Sequence, residues 1–176
     1  MNTKRLTTLA MLVAIYLVLS ILTPVKIANF KFTFEAFPIL IAGLLMGPID
    51  GLIVGGVGSF IYQLLFSGYG ITPTTPLWIL PHALSGLLVG VFSQKSGFEL
   101  DFKKLAFICV ISAFTVTLLN ILALYVDSKL YGYYSKALVF GNIFIKIIVG
   151  VILSIIYASI LPKLLAYLKK QLNRQA

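Results

Sequence analysis

Lys146 lies inside an apolar run that extends from Ala137 to Leu161. A primary amine at membrane depth costs about 3 kcal/mol on insertion scales, so it marks a site, pairs with a carboxylate, or snorkels to an interface. Its chemistry is that of a charge-assisted hydrogen-bond donor to an anion. Four further hydrogen-bonding groups sit in apolar surroundings: Glu35, His82, Asn120 and Asn142. Asn142 and Lys146 are four residues apart, which puts them on one face of a helix. His82 serves either as a ligand contact or as a satisfied hydrogen-bonding group within a bundle. Glu35 suits pairing with Lys31 or Lys146. Donors outnumber acids here, so the set suits a carboxylate-bearing ligand better than a cation. It is not a catalytic set. The chain has no Walker loop, no HExxH, no GxSxG and no paired acids, and its single histidine excludes a multi-histidine metal site. Neither a cofactor nor an enzymatic activity is expected.

The elements that must position these groups are membrane helices. The chain is 60% hydrophobic and 11% charged, with mean hydropathy +1.03, whereas a soluble domain carries about 25% charged residues. The 176 residues therefore form one polytopic membrane domain. The net charge of +9 does not point to nucleic acid, because the basic residues are scattered at span ends instead of forming a stripe. Cys109, the single cysteine, sits in an apolar run as a small packing residue and excludes a disulfide framework. After Lys4, Arg5 and the first apolar stretch, Lys26 breaks the small-x-small pattern before Ala28, so the segment is expected to remain as a first membrane helix.

Six spans are expected, at Leu6–Leu22, Glu35–Met46, Leu52–Phe66, Leu77–Ser93, Leu105–Val126 and Ala137–Leu161. A full span needs roughly 20 apolar residues, so the second is short. Gly47-Pro48-Ile49-Asp50-Gly51 breaks the second from the third, and the Gly/Thr/Pro stretch Ser67–Pro76 reads as a loop. Val25–Phe34 reads as a polar-aromatic connection and Asp127–Lys136 as a tyrosine-rich loop. Lys163–Ala176 reads as a basic amphipathic end. Lys4, Arg5, Lys95, Lys103, Lys104, Lys163, Lys169, Lys170 and Arg174 fall on the side of the termini. Only Lys26, Lys31, Lys129 and Lys136 fall on the other. Basic residues concentrate on the cytoplasmic side, so both termini are expected there.

In lipid, helices associate where small residues let backbones approach. Gly43, Gly47, Gly51 and Gly55 recur every four residues through the second and third spans, and Gly86 and Gly90 repeat the spacing in the fourth. Ala10 and Ala14 place a similar groove on the first span, where either packing or a partner's helix would use it.

Glu35 at an outer rim, His82, Asn120, Asn142 and Lys146 all fall in the outer half by their distance from span ends. The inner half offers only hydroxyls and glycines. Polar groups in a bilayer face a bundle interior or a cavity, so this asymmetry implies an outward-facing pocket that ends blind. A channel would need polar lining throughout. The fourth to sixth spans are expected to form the wall. Above it the loops supply Thr72, Thr74 and Thr75, with Phe30, Phe32, Tyr69, Trp78, Tyr131, Tyr133 and Tyr134. Those aromatics suit a flat organic ligand, and they equally suit an interfacial belt.

Taken together, the chain resembles the substrate-binding S components of energy-coupling factor (ECF) vitamin transporters. The resemblance covers the whole chain. It is carried by Ala10-x3-Ala14, by Phe37-Pro38 to Gly47-Pro48 with the glycine-rich third span, and by Thr72-Pro73-Thr74-Thr75-Pro76-Leu77-Trp78. It implies an all-α bundle of six transmembrane helices in a bacterial plasma membrane, binding a vitamin from outside. Ala10 and Ala14 would contact a transmembrane coupling subunit, two cytoplasmic ATPases would supply energy, and the first external loop, with Lys31 and Phe32, would be a lid. The binding residues would be Lys146, His82, Asn120, Asn142, Glu35, Trp78, Thr75 and Tyr69. A folate-type ligand suits Lys146, pantothenate remains open, and a thiamin-type site is disfavoured by the scarcity of acids. The alternative is a six-span scaffold subunit of cell-shape assemblies, which would need neither Lys146 nor a one-sided polar cluster.

Overall fold

The computed structural model describes residues 3–23, 25–27, 30–32, 34–98 and 101–174. They form α1 (Thr3–Leu22), a hairpin of β1 (Val25–Ile27) and β2 (Phe30–Phe32), and then α2 (Ala36–Met46) and α3 (Pro48–Leu65). After these come α4 (Thr75–Lys95), α5 (Phe102–Leu130), the short α6 (Lys136–Phe140) and α7 (Ile143–Arg174). Five stretches among the described residues are long and apolar enough to cross a membrane, the last combining α6 with most of α7; α2 is the short sixth. The expected all-helical membrane bundle is therefore present, with three local differences.

The connection after α1 is an antiparallel hairpin, with Lys26 opposite Lys31 and Val25 opposite Phe32. The side chains of Lys31 and Phe32 lie outside the described part of the chain. The last span is not one helix from Ala137 to Leu161. It breaks at Gly141–Asn142, then runs as α7 through Pro162 to Arg174, absorbing the expected separate tail. Gly141 still donates its N–H to the Ala137 carbonyl at 3.0 Å, closing the last turn of α6 before the chain restarts as α7. The third difference is at the inner end, where hydroxyls and glycines are not the whole polar inventory. Asp50, 1% exposed, sits in the first turn of α3 and accepts from Arg5 Nε at 2.9 Å and Nη2 at 2.7 Å. Both donors converge on the single oxygen Oδ1, and this charge-assisted pair offsets part of the cost of burying the carboxylate and ties α1 to the start of α3.

Glycine spacing produces the expected close packing. Gly86 of α4 faces Gly51 of α3 so closely that a Cβ on either would meet the other's carbonyl group. Gly90 leaves no room for a Cβ beside Pro48, and Gly43 has Gly86 O and Gly90 N at 3.0 Å from where its Cβ would be. Gly47, at φ 104°, supplies the left-handed backbone that folds α2 back onto α3. Ser93 donates to the Leu44 carbonyl at 2.8 Å, which levels the ends of α2 and α4. Beneath the middle of the bundle, Leu12, Leu44, Val54, Val89, Leu105 and Leu161 close the inner half as a continuous apolar plug.

The α3–α4 contact also sets the position of His82, because Gly55 lies against its carbonyl and would collide with it through any Cβ. Gly55→Ala is expected to lower thermal stability by about 1–3 kcal/mol. Gly56→Ala, whose Cβ would lie an ordinary 3.5 Å from that of Ala83, is expected to be near neutral. Equal melting temperatures for the two variants would refute the close-approach argument.

Candidate functional site

The level of Glu35 follows from the length of α2. Eleven residues rise only about 16 Å, roughly half of the ~30 Å hydrocarbon core. The inner end of α2 is level with that of α4, so the outer end of α2 stops well below the start of α4. Glu35 accordingly reaches His82, the eighth residue of α4, with Oε1 at 3.7 Å from Nε2. The expected position of Glu35 at the outer rim is thereby corrected, while of the two partners expected for it the Lys31 side chain lies outside the described residues. The start of α2 lies near mid-depth and not at a membrane surface.

Around and above that level the bundle holds a cavity of about 390 Å³. It lies toward the end opposite the chain termini and stops at the apolar plug. All the long helices contribute, together with α2, so the wall is not confined to the last three spans. From α1 comes Tyr16, from α2 Ile39 and Leu40 beside Glu35, and from α3 Ser59, Tyr62 and Gln63. From α4 come Trp78, His82 and Ser85, and from α5 Cys109, Ser112, Thr117 and Asn120. The face of α7 runs from Lys146 through Val149, Gly150, Leu153 and Ser154 to Tyr157, the i, i+3, i+4 pattern of one helical stripe. Lys146 stands about 16 Å above Tyr157 along that stripe.

Five of the eight expected binding residues are thus gathered around one space: Glu35, Trp78, His82, Asn120 and Lys146. Three are not. Asn142 lies at the break before α7, where its carbonyl accepts from the Lys146 N–H at 3.1 Å, and it does not line the cavity. Thr75 is buried in a hydroxyl cluster of its own loop: its Oγ1 accepts from Thr72 N–H at 2.8 Å and lies 3.2 Å from Thr72 Oγ1. Tyr69 is 85% exposed on the loop before α4. Of the loop aromatics whose side chains are described, only Trp78 lines the cavity. Tyr134 instead stacks under Lys129, whose Nζ is 4.0 Å from the ring centroid.

The sequence reasoning missed the tyrosines and serines of the wall. Tyr16 is 1% exposed and meets the His82 ring edge-on at 5.8 Å between centroids. Ser85 and Ser112 share a 2.6 Å hydrogen bond between α4 and α5. Such residues look like ordinary span filler; the available signal was that a phenol in hydrocarbon needs a partner for its O–H.

The two loops over the outer end are tied to α5. Thr74 Oγ1 and the Tyr133 hydroxyl both donate to the Asp127 carboxylate. Desolvation of the Tyr133 hydroxyl, with the hydrogen bond and charge of Asp127, pushes that tyrosine up to about 12, so it stays a donor at neutral pH. The threonines expected to offer hydroxyls to a ligand are therefore spent on fixing the loop.

The family model for the substrate-specific component of ECF transporters matches residues 4–162. No curated protein sequence matches the chain significantly. The fold is similar to that of FolT crystallised with folic acid, with TM-score 0.73 and 22% identity over 91% of this chain and 93% of that one. It is similar also to the S component for biotin of an ECF-type transporter, with TM-score 0.70 and 19% identity over 93% and 94%. A third, the S component of a bacterial ECF transporter, gives TM-score 0.66 and 28% identity over 96% and 99%.

Asp127→Ala is expected to release both loops. Amide exchange at residues 67–74 and 131–135 should quicken, and stability should fall by about 1.5–3 kcal/mol, the range for hydrogen bonds to charged groups. Unaltered exchange in the 67–74 loop would show that Asp127 does not hold it.

Proposed function

This chain belongs to the family of ECF transporter substrate-specific components, and from that premise we propose that it captures an anionic vitamin, folate before others, from outside the cell. As a family member it is a vitamin-binding transport subunit of a membrane, not an enzyme, and works with a module of transmembrane and ATPase subunits. The finer reading rests on one observation: Lys146 lines the outer part of a blind cavity whose wall also carries His82, Asn120 and Gln63. An ammonium held there favours a carboxylate, and the surrounding side chains add neutral hydrogen bonds. Tyr16, Tyr62, Trp78 and Tyr157 give the same space the flat aromatic surfaces that suit a heteroaromatic ring. That supports a folate-type ligand over the aliphatic pantothenate. The volume of about 390 Å³ is near the lower end of the ~300–1,000 Å³ usual for such pockets, and it favours a compact carboxylate such as biotin as the second reading. The scaffold alternative offers no reason for a polar cavity.

The basic excess beside the termini orients the cavity outward in a bacterial plasma membrane. Ala10 and Ala14 are both exposed on α1, on the face that also shows Leu6, Met11 and Val18. This small-residue groove docks the transmembrane coupling subunit, the two cytoplasmic ATPases drive release, and the β1–β2 hairpin with Lys31 and Phe32 covers the cavity as a lid.

Lys146→Met is expected to weaken binding of folic acid by about 1.5–3 kcal/mol, measured by ligand titration of the purified protein. Unchanged affinity would remove Lys146 from the site. Ala10→Trp or Ala14→Trp should leave binding intact while abolishing uptake and copurification with the coupling subunit; normal uptake would refute the docking groove.

A further inference from the structure

Only one face of α1 meets the bundle. Leu9, Leu12, Tyr16 and Ser20 are its buried residues, and at about 100° per residue Arg5 continues that stripe by one turn at the inner end, while Lys4 lies off it. Ala10 and Ala14, both exposed, lie roughly 150° round the helix from the stripe, so whatever sets the rotation of α1 also sets where this pair points. Apolar packing sets it weakly. Leu6, Met11, Ile15 and Val18 on the exposed side are as apolar as Leu9 and Leu12, and lipid gives neither group a reason to turn inward. Two contacts do discriminate. At mid-depth the Tyr16 ring lies on Gly58, where a Cβ would come within 2.6 Å of it. At the inner end Arg5 donates twice to Asp50, whose side chain is buried while that of Arg5 is 44% exposed. Buried ion pairs add little net stability over apolar packing, and their best-attested use is to fix the register of one helix on another.

We propose that the Arg5–Asp50 pair fixes the rotation of α1 and so holds the Ala10–Ala14 groove outward, facing the coupling subunit. Both are positioning residues. Neither belongs to the groove, whose alanines stand about 8 and 14 Å above Arg5 along the helix. The inference rests on the docking reading of that groove and adds the device that aims it. The alanines lie between the two anchors, so loss of the inner one turns the groove while Tyr16 keeps the cavity end of α1 in place.

The test is copurification of the full chain with its co-expressed coupling module, the transmembrane subunit with both ATPases. Wild type, Asp50→Asn, Arg5→Gln, the double variant Arg5→Gln/Asp50→Asn, Arg5→Lys and Ala14→Trp are compared. Amide exchange at residues 67–74 and 131–135 reports on the outer half without need of a ligand. Asparagine fills the space of Asp50 and removes the buried charge, so the chain should still fold. Asp50→Asn and Arg5→Gln are each expected to cut the recovered complex about tenfold, with exchange in the outer loops unchanged. The double variant should lose no more than either single one, because the two residues act as a unit. Arg5→Lys keeps a charged donor and should retain most of the complex. Wild-type recovery for Asp50→Asn, with none for Ala14→Trp, would overturn the role of the pair and leave the docking groove standing. Wild-type recovery for Ala14→Trp would overturn the docking reading and this inference with it. Additive losses in the double variant, or faster exchange in the outer loops, would make the pair a general brace of the fold and overturn the proposal.

Discussion

The backbone contact between α4 and the α2–α3 pair is the constraint from which the rest follows. Lipid gives helices no hydrophobic reason to associate, so close approach and satisfied polar groups must hold them. Gly86 against Gly51 and Gly90 against Pro48 bring the inner halves together with no side chain between them. That contact seals the inner half, and the space left over is forced into the outer half. The same contact carries the His82 carbonyl onto Gly55, so the fold's tightest seam also places one wall of the cavity.

The short α2 supplies the second determinant. Because it ends near mid-depth, the chain entering it brings Phe34 and Glu35 down to the level of Tyr157 and His82. An acid, a histidine and two buried tyrosines thus meet at the floor of the cavity without any of them spanning its height. Lys146 stands apart, higher on α7, and the cavity acquires two chemically different ends. A binding subunit that must hold its ligand in one orientation uses such an arrangement, whereas a conducting pore needs one character throughout.

Much of this was legible in the residues. Costly groups such as Lys146, His82 and Asn120 announce themselves in apolar runs, and four-residue glycine spacing has one dominant use in lipid. What failed were inferences that treated a span end as a membrane surface. Glu35 was placed at a rim because nothing in Glu35–Met46 says how deep the preceding hairpin carries the chain. Asn142 and Lys146 keep their one-turn spacing through the Lys146 N–H to Asn142 carbonyl bond, but Asn142 sits at the break before α7 and only Lys146 lines the cavity. Asp50 looked like a turn residue because its partner Arg5 is 45 positions away. Tyr16 and Tyr157 have the composition of packing residues, and only three-dimensional burial shows that their oxygens matter.

The central claim is that a blind, outward cavity with a cationic upper wall holds one anionic vitamin. Native mass spectrometry of the full chain, purified from cells grown in rich medium and released gently from detergent, tests this most directly. The account expects a one-to-one complex whose mass difference identifies a carboxylate vitamin, with that vitamin recovered on denaturation. A chain that emerges empty, and stays empty after incubation with folic acid, biotin and pantothenate, would contradict it.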